Sequence, residues 1–215
     1  MSKSIYIYGA SGHGLVVADI AKSSGYDNII FVDDGENKYP PFDDIRRTSG
    51  IPIAFGVGSN AIRAKLFEKV QSSGFEIVSL IHPSVIISPS ATIGKGTVVM
   101  PNVVVNAKAI IGDSVILNTS CVVEHECVIK NFLHISPKVA LAGDLKVGEF
   151  THIGIGSNVI QGIIIGKNVI VGGGSMVIRN IDDNQKVVGV PAYPITSKKG
   201  GVNSNFYFPT SRKAS

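Results

Sequence analysis

The chain has 215 residues, 44% of them hydrophobic and 17% charged, a balance that excludes a disordered polypeptide and allows one large or two small folded domains. Glycine is abundant at 24 residues and tryptophan is absent, which suits tightly turned β structure better than a helical bundle. The net charge of +4 comes from scattered lysines and arginines rather than a basic stripe, so no nucleic acid is expected as a partner, whereas anionic small ligands would be favoured.

The chain begins Met1-Ser2-Lys3-Ser4 without the charged, apolar and small-residue layout of a secretory leader. No apolar run approaches the ~18 residues of a membrane span, so a cytoplasmic protein with no membrane span is expected. Ile5–Tyr8 reads as a buried strand, Gly9-Ala10-Ser11-Gly12-His13-Gly14 as a glycine-rich turn, and Leu15–Ser24 as a helix. Ile29–Val32 reads as a second strand that closes on Asp33-Asp34, and Ile51–Val57 as a third. Asn60 is placed to cap a helix running to about Ser73, with Ile62, Leu66 and Val70 on one face. Ile77–Leu80 would be a final strand.

Strand, glycine turn, helix, strand and acidic pair form a half-Rossmann layout: backbone N–H groups at a helix N-terminus suit an anion, and an acidic residue about twenty positions on suits a ribose or base edge. The glycines run G-x-x-G-x-G, not the usual dinucleotide spacing. The module of about 80 residues is also small for NAD, which favours a mononucleotide such as UDP. The alternatives are an NAD-dependent enzyme, or glycines that only make a tight β–α turn.

From Ile81 the texture changes. Every sixth residue to Val177 is Ile, Leu or Val, seventeen in succession; chance gives such a run with a probability on the order of one in a million. The fifth place of each hexad is small or medium and holds Cys121 and Cys127, which read as buried packing residues. Gly94, Gly112, Gly148, Gly154, Gly166 and Gly172 follow the aliphatic place directly and are expected to be turn residues of unusual backbone conformation. The period fits a parallel β-helix with three faces and coils of about eighteen residues. Three segments are therefore expected: an α/β module over 1–80, a β-helix over 81–178, and a C-terminal segment over 179–215 whose tail carries the aromatic patch Phe206-Tyr207-Phe208-Pro209.

His125 and Glu126 occupy the third and fourth hexad places, away from the buried slot. His134 and His152 both close their hexads one coil apart and should stack on one edge. Within one chain His125 should not reach His134, though the two could meet between subunits. Zinc held by three histidines is an alternative, but the His-x3–5-His spacing is absent, and no metal is expected. His82, before Pro83, shapes the turn at the junction.

The tandem hexads resemble the hexapeptide-repeat acyltransferases. Ile5 to Gly14, Asp33-Asp34, Asn118-Thr119-Ser120 and Val123-Glu124-His125-Glu126-Cys127 together resemble the bacterial UDP-4-amino-sugar N-acetyltransferases of the bacillosamine pathway, over about residues 3–194. The resemblance implies a left-handed β-helix, a homotrimer with active sites between subunits, and direct acetyl transfer from acetyl-CoA to the amine of a UDP-linked sugar. It implies His125 as general base with Glu126 raising its basicity. Ser11, Gly12 and His13 would contact the diphosphate and sugar, Asp33 and Asp34 the uridine, and Gly58 the same pocket. His134, Gly143, Ile155 and Gly173 would border acetyl-CoA, and Val188-Gly189-Val190-Pro191-Ala192 would turn near the CoA tail. The alternatives are another nucleotide amino sugar or a sialic acid hydroxyl as acceptor, or a non-catalytic scaffold that binds nucleotide sugar.

Overall fold

The computed structural model describes residues 2–45 and 50–195; the tail with its Phe206–Pro209 patch lies outside the described residues. The N-terminal module is a parallel three-stranded sheet in the order β2-β1-β3, built from β1 (Ser4–Tyr8), β2 (Asn28–Val32) and β3 (Ile53–Phe55), with α1 (Gly12–Ser23) and α2 (Asn60–Ser72) packed on it. The helix α2 starts one residue earlier than expected: Ser59, not Asn60, is the cap, and its side chain accepts the Ile62 N–H. Its buried face is Arg63, Ala64, Phe67 and Val70, while Ile62 is 45% exposed. Ile77 makes a single bridge to Ile53, and Leu80 pairs instead with Val98 of the hexad repeat.

Seventeen two-residue strands follow, β4 (Leu80–Ile81) to β20 (Met176–Val177), each ending on the aliphatic place of its hexad. Every third strand pairs in parallel, so the chain winds as a three-faced β-helix. The inward aliphatics from Val99 onward and the fifth-place residues make one continuous core. Ile81 is 38% exposed and Ile87 and Ile93 are only half-buried, because the first coil has a neighbour on one side only.

The hexad turns assign glycine differently from the sequence expectation. The positive-φ place is the fourth, held by Gly96, Gly156, Gly162 and Gly174 and by non-glycine residues such as Asn102, Glu126 and Asp144. The glycines that follow the aliphatic serve close stacking. A Cβ on Gly94 would lie 2.5 Å from the Gly112 backbone, and one on Gly148 would lie 2.5 Å from Lys167 N.

The inner core continues past Ile178. Ile181 bridges Ile165, β21 (Lys186–Val188) pairs with β19 (Ile170–Val171), and Ile181 and Val187 are 5% and 2% exposed. Hydrogen bonds here link residues 16 apart, as from Ile164 to Asn180, where earlier coils use 18, so the last coil is two residues short. It closes on β22 (Tyr193–Pro194), antiparallel to β21. No helix among the described residues is long and apolar enough to cross a membrane.

On the first face of the β-helix, the outward residues Leu80, Val98 and Ile116 pack with Met100 against Ile5, Ile7, Val17, Ile20 and Ala21 of the module in one shared core. The next outward residues in the same column are His134 and His152. The column changes from apolar to imidazole where it meets the glycine-rich turn.

Candidate active site

Three imidazoles line the seam between module and β-helix. His134 and His152 stack at 4.8 Å between centroids, as their spacing predicts, and His13 from the start of α1 lies 6.1 Å from His134. Asn118 Nδ2 donates to His134 Nε2 at 3.0 Å, and Ser136 Oγ lies 3.0 Å from His152 Nε2. Burial, reinforced by His152, His13 and Arg63, pushes His134 down to about 3 against an opposing hydrogen bond to the Gly58 backbone. Burial and then Arg63 push His13 down to about 4, and His152 is lowered by the same two causes. All three rings are therefore neutral near pH 7. The Nε2 of His13 is buried without a partner. Among the described residues, no three His, Cys, Asp or Glu side chains are arranged to hold a metal.

The glycine-rich turn separates two kinds of glycine. Gly9, Gly14 and Gly56 pack backbone to backbone: a Cβ on Gly56 would lie 2.5 Å from the Gly9 carbonyl oxygen and 2.7 Å from Gly14 Cα, and a Cβ on Gly14 would overlap that same carbonyl. Those three make the tight strand–helix approach. Gly12 and Gly58 face open space, with nothing within 4 Å of the Cβ position. Ser11 is the N-cap of α1, yet its side chain makes no cap hydrogen bond, so the first N–H groups of the helix are not satisfied by it.

The acidic pair is engaged within the module. Asp33 accepts from the N–H groups of Ala10 and Gly35 at 2.8 and 2.9 Å and from Asn37 at 3.0 Å, which ties the end of β2 to the glycine turn. Asp34 accepts from the Tyr8 hydroxyl, the Phe42 N–H and Lys69. These bonds outweigh desolvation and hold its carboxyl below the usual range.

His125 and Glu126 sit at the edge between the second and third faces, on the turn from β11 (Val122–Val123) to β12 (Val128–Ile129). His125 Nδ1 lies 3.2 Å from Glu126 Oε2, Lys108 Nζ lies 3.6 Å from Glu126 Oε1, and the His125 side chain is 58% exposed. His125 first and Lys108 second lower the Glu126 carboxyl. The imidazole lies over Gly143 of the next coil: a Cβ there would be 2.6 Å from its Cε1 and Nε2. The Gly143 carbonyl accepts from Gly162, and among the described residues its N–H has no acceptor. Ile155, 59% exposed, and Gly173 of the following coil touch each other at the edge between the first and second faces.

One chain therefore brings Ser11, Gly12, His13, Gly58 and His134 together at the seam, His125, Glu126 and Gly143 at a second edge, and Ile155 and Gly173 at a third place. His134 joins the module residues rather than Gly143. Sequence reasoning missed Arg63, a fully buried cation at the seam, because arginine on a helix ordinarily signals a solvated face. It also missed Ser136; the hexad place after the aliphatic, facing outward beside an imidazole, is the signal that could have found it.

Residues 4–70 match the PglD N-terminal domain family. UDP-N-acetylbacillosamine N-acetyltransferase of Bacillus subtilis is 38% identical over 111 residues, which is 46% of this chain and 51% of that protein, so the chain spans about half the length of this curated relative. The acetyltransferase domain of PglB from Neisseria gonorrhoeae, solved in complex with acetyl coenzyme A, is 36% identical with a TM-score of 0.84, covering 91% of this chain and 100% of that one. GDP-perosamine N-acetyltransferase from Caulobacter crescentus, in a histidine-to-alanine variant holding CoA and GDP-perosamine, is 34% identical with a TM-score of 0.87 over 90% of this chain and 97% of that one. A parallel β-helix of hexads with an α/β module docked on its first face is the architecture these proteins share. The chain belongs to the N-acetyltransferase family that includes the PglB acetyltransferase domain and the perosamine N-acetyltransferase.

Proposed function

We propose that the protein transfers the acetyl group of acetyl-CoA to the 4-amino group of a UDP-linked amino sugar of the UDP-2-acetamido-4-amino-2,4,6-trideoxy-glucose type, for surface glycan synthesis. The observation that carries this reading is His125 held between Glu126 and the bare backbone of Gly143. The sugar amine attacks the thioester carbonyl, His125 takes a proton from the amine nitrogen, the C–S bond breaks, and CoA leaves as the thiol once protonated. Glu126 orients the imidazole, and the free N–H of Gly143 is suited to the oxyanion. Burial pushes the Cys121 thiol up to about 12 and raises Cys127, which argues against an acyl-enzyme.

Gly12, Gly58 and the open α1 N-terminus suit a diphosphate, with Asp33 and Asp34 shaping the nucleoside end. Acetyl-CoA would run along the surface bordered by Ile155 and Gly173, where an exposed apolar side chain beside a bare backbone fits a pantetheine arm. The seam and the His125 edge lie on different parts of one prism, which supports a homotrimer whose sites are completed between subunits. The test is thiol release from acetyl-CoA with the UDP sugar or with GDP-perosamine, for wild type and His125→Ala. Turnover on the UDP sugar that the variant loses is expected. Preference for GDP-perosamine would overturn the UDP assignment, and turnover that survives the substitution would overturn His125 as base.

A further inference from the structure

The buried cation at the seam has a pattern of contacts that stability alone does not explain. Arg63 is 0% exposed, and among the described residues its guanidinium forms no salt bridge with a carboxylate. Nε donates to Ser114 O at 2.9 Å, Nη1 to Val57 O and Gly58 O at 3.1 Å each, and Nη2 to Asn60 Oδ1 and Leu133 O at 2.9 Å each. Five N–H groups thus meet five neutral acceptors. Burial of an uncompensated charge is costly, and it lowers Arg63 to about 9. An apolar side chain of similar volume would avoid that cost but leave the five acceptors without this donor, so what the cation secures is the placement of those acceptors relative to one another.

The acceptors define that geometry. Val57, Gly58 and Asn60 belong to the loop that opens α2, whereas Ser114 and Leu133 belong to two successive coils of the β-helix, and Leu133 immediately precedes His134. Asn60, oriented by Arg63, continues the contact to the carbonyls of Phe150 and Thr151 at 3.0 and 3.2 Å, directly before His152. His134 itself reaches the Gly58 backbone. One planar fork therefore registers the Gly58 loop against the strand that carries the seam imidazole.

We propose that Arg63 is the positioning residue of the acceptor site: it holds the Gly58 loop at a fixed height on the β-helix, so that a nucleotide sugar seated on the α1 N-terminus presents its amine at the correct level. The inference rests on the nucleotide-sugar reading of the seam. Lysine, with one point charge and no fork, cannot reproduce the five contacts.

The experiment compares wild type with Arg63→Lys and Arg63→Met by steady-state kinetics and thermal unfolding, and by hydrogen exchange of the amides of Ile62 and of residue 63, which donate to Ser59 of the loop. Arg63→Lys should stay folded, raise the acceptor KM by roughly 10-fold or more, leave the acetyl-CoA KM unchanged and lose protection at these two amides. An unchanged acceptor KM, or equal rises in both KM values, would overturn the proposal. A wild type inactive on every nucleotide amino sugar would sink the acceptor assignment alone. The two amides then decide: protection lost in both variants upholds the clamp, and protection retained overturns it.

Discussion

The imidazole of His125 rests on the backbone of Gly143, the residue one coil further along the same edge, with room for a hydrogen but not for a methyl group. Gly143→Ala would place a Cβ 2.6 Å from Cε1 and Nε2. The ring is largely exposed and can swing away, so folding should change little. Reacting atoms displaced by about 1 Å cost on the order of 100-fold in rate. Steady-state kinetics should therefore show kcat reduced by roughly 10- to 100-fold, with the unfolding temperature within about 2 °C of wild type.

The two open glycines and the crowded ones should respond in opposite ways to alanine. Gly14→Ala drives a methyl group into the Gly9 carbonyl, a backbone atom that cannot step aside, and should destabilise by about 3 kcal/mol. Gly12→Ala meets nothing in the protein, so thermal unfolding should be unchanged while the acceptor KM rises several-fold. A stability loss for Gly12→Ala would remove the argument that its space belongs to a ligand.

Acid should loosen the seam. His13 and His134 titrate at about 4 and about 3 in the folded chain against 6.5 unfolded, so below pH 6.5 the unfolded chain binds more protons than the folded one. Stability from these rings is complete above about pH 7 and is lost progressively as pH falls through 6.5 toward 4. Unfolding temperatures measured between pH 8 and pH 5 should fall by at least a few degrees. His134→Asn should show a flatter profile.

With both thiols buried in the core, Cys121→Ala and Cys127→Ala should keep turnover within about 3-fold of wild type at permissive temperature, at a stability cost of roughly 1 kcal/mol each. Initial-rate plots should intersect, as direct transfer requires, rather than run parallel.

The β-helix was legible because one slot in six must be a large aliphatic, and the strands do end on those residues from Ile81 to Val177. Its ends were less so. Ile81 obeys the repeat but lacks a coil beneath it, and the coil through Ile181 and Val187 drops two residues, so a strict step of six loses the core that continues there. The stacking of His134 on His152 followed from one-coil spacing. The neighbour that matters most at that place, His13, comes from more than a hundred residues earlier, and only the docking of the module brings it there. Asn60 reads as a cap by type, yet Ser59 caps and Asn60 reaches across the seam, because a free amide opposite the carbonyls of Phe150 and Thr151 does more there.

The shortened last coil also decides how the molecule meets others of its kind. A stack of parallel strands would end on three rows of unpaired amide groups, each able to template another chain. Here β22 turns back on β21, the Met176 N–H is taken by Gly189 and its carbonyl by Ala192, and Ile181 donates to Ile164. The residues after Val177 thus occupy the hydrogen-bonding positions that a further coil would use, and they close this end of the stack against head-to-tail growth into a fibre.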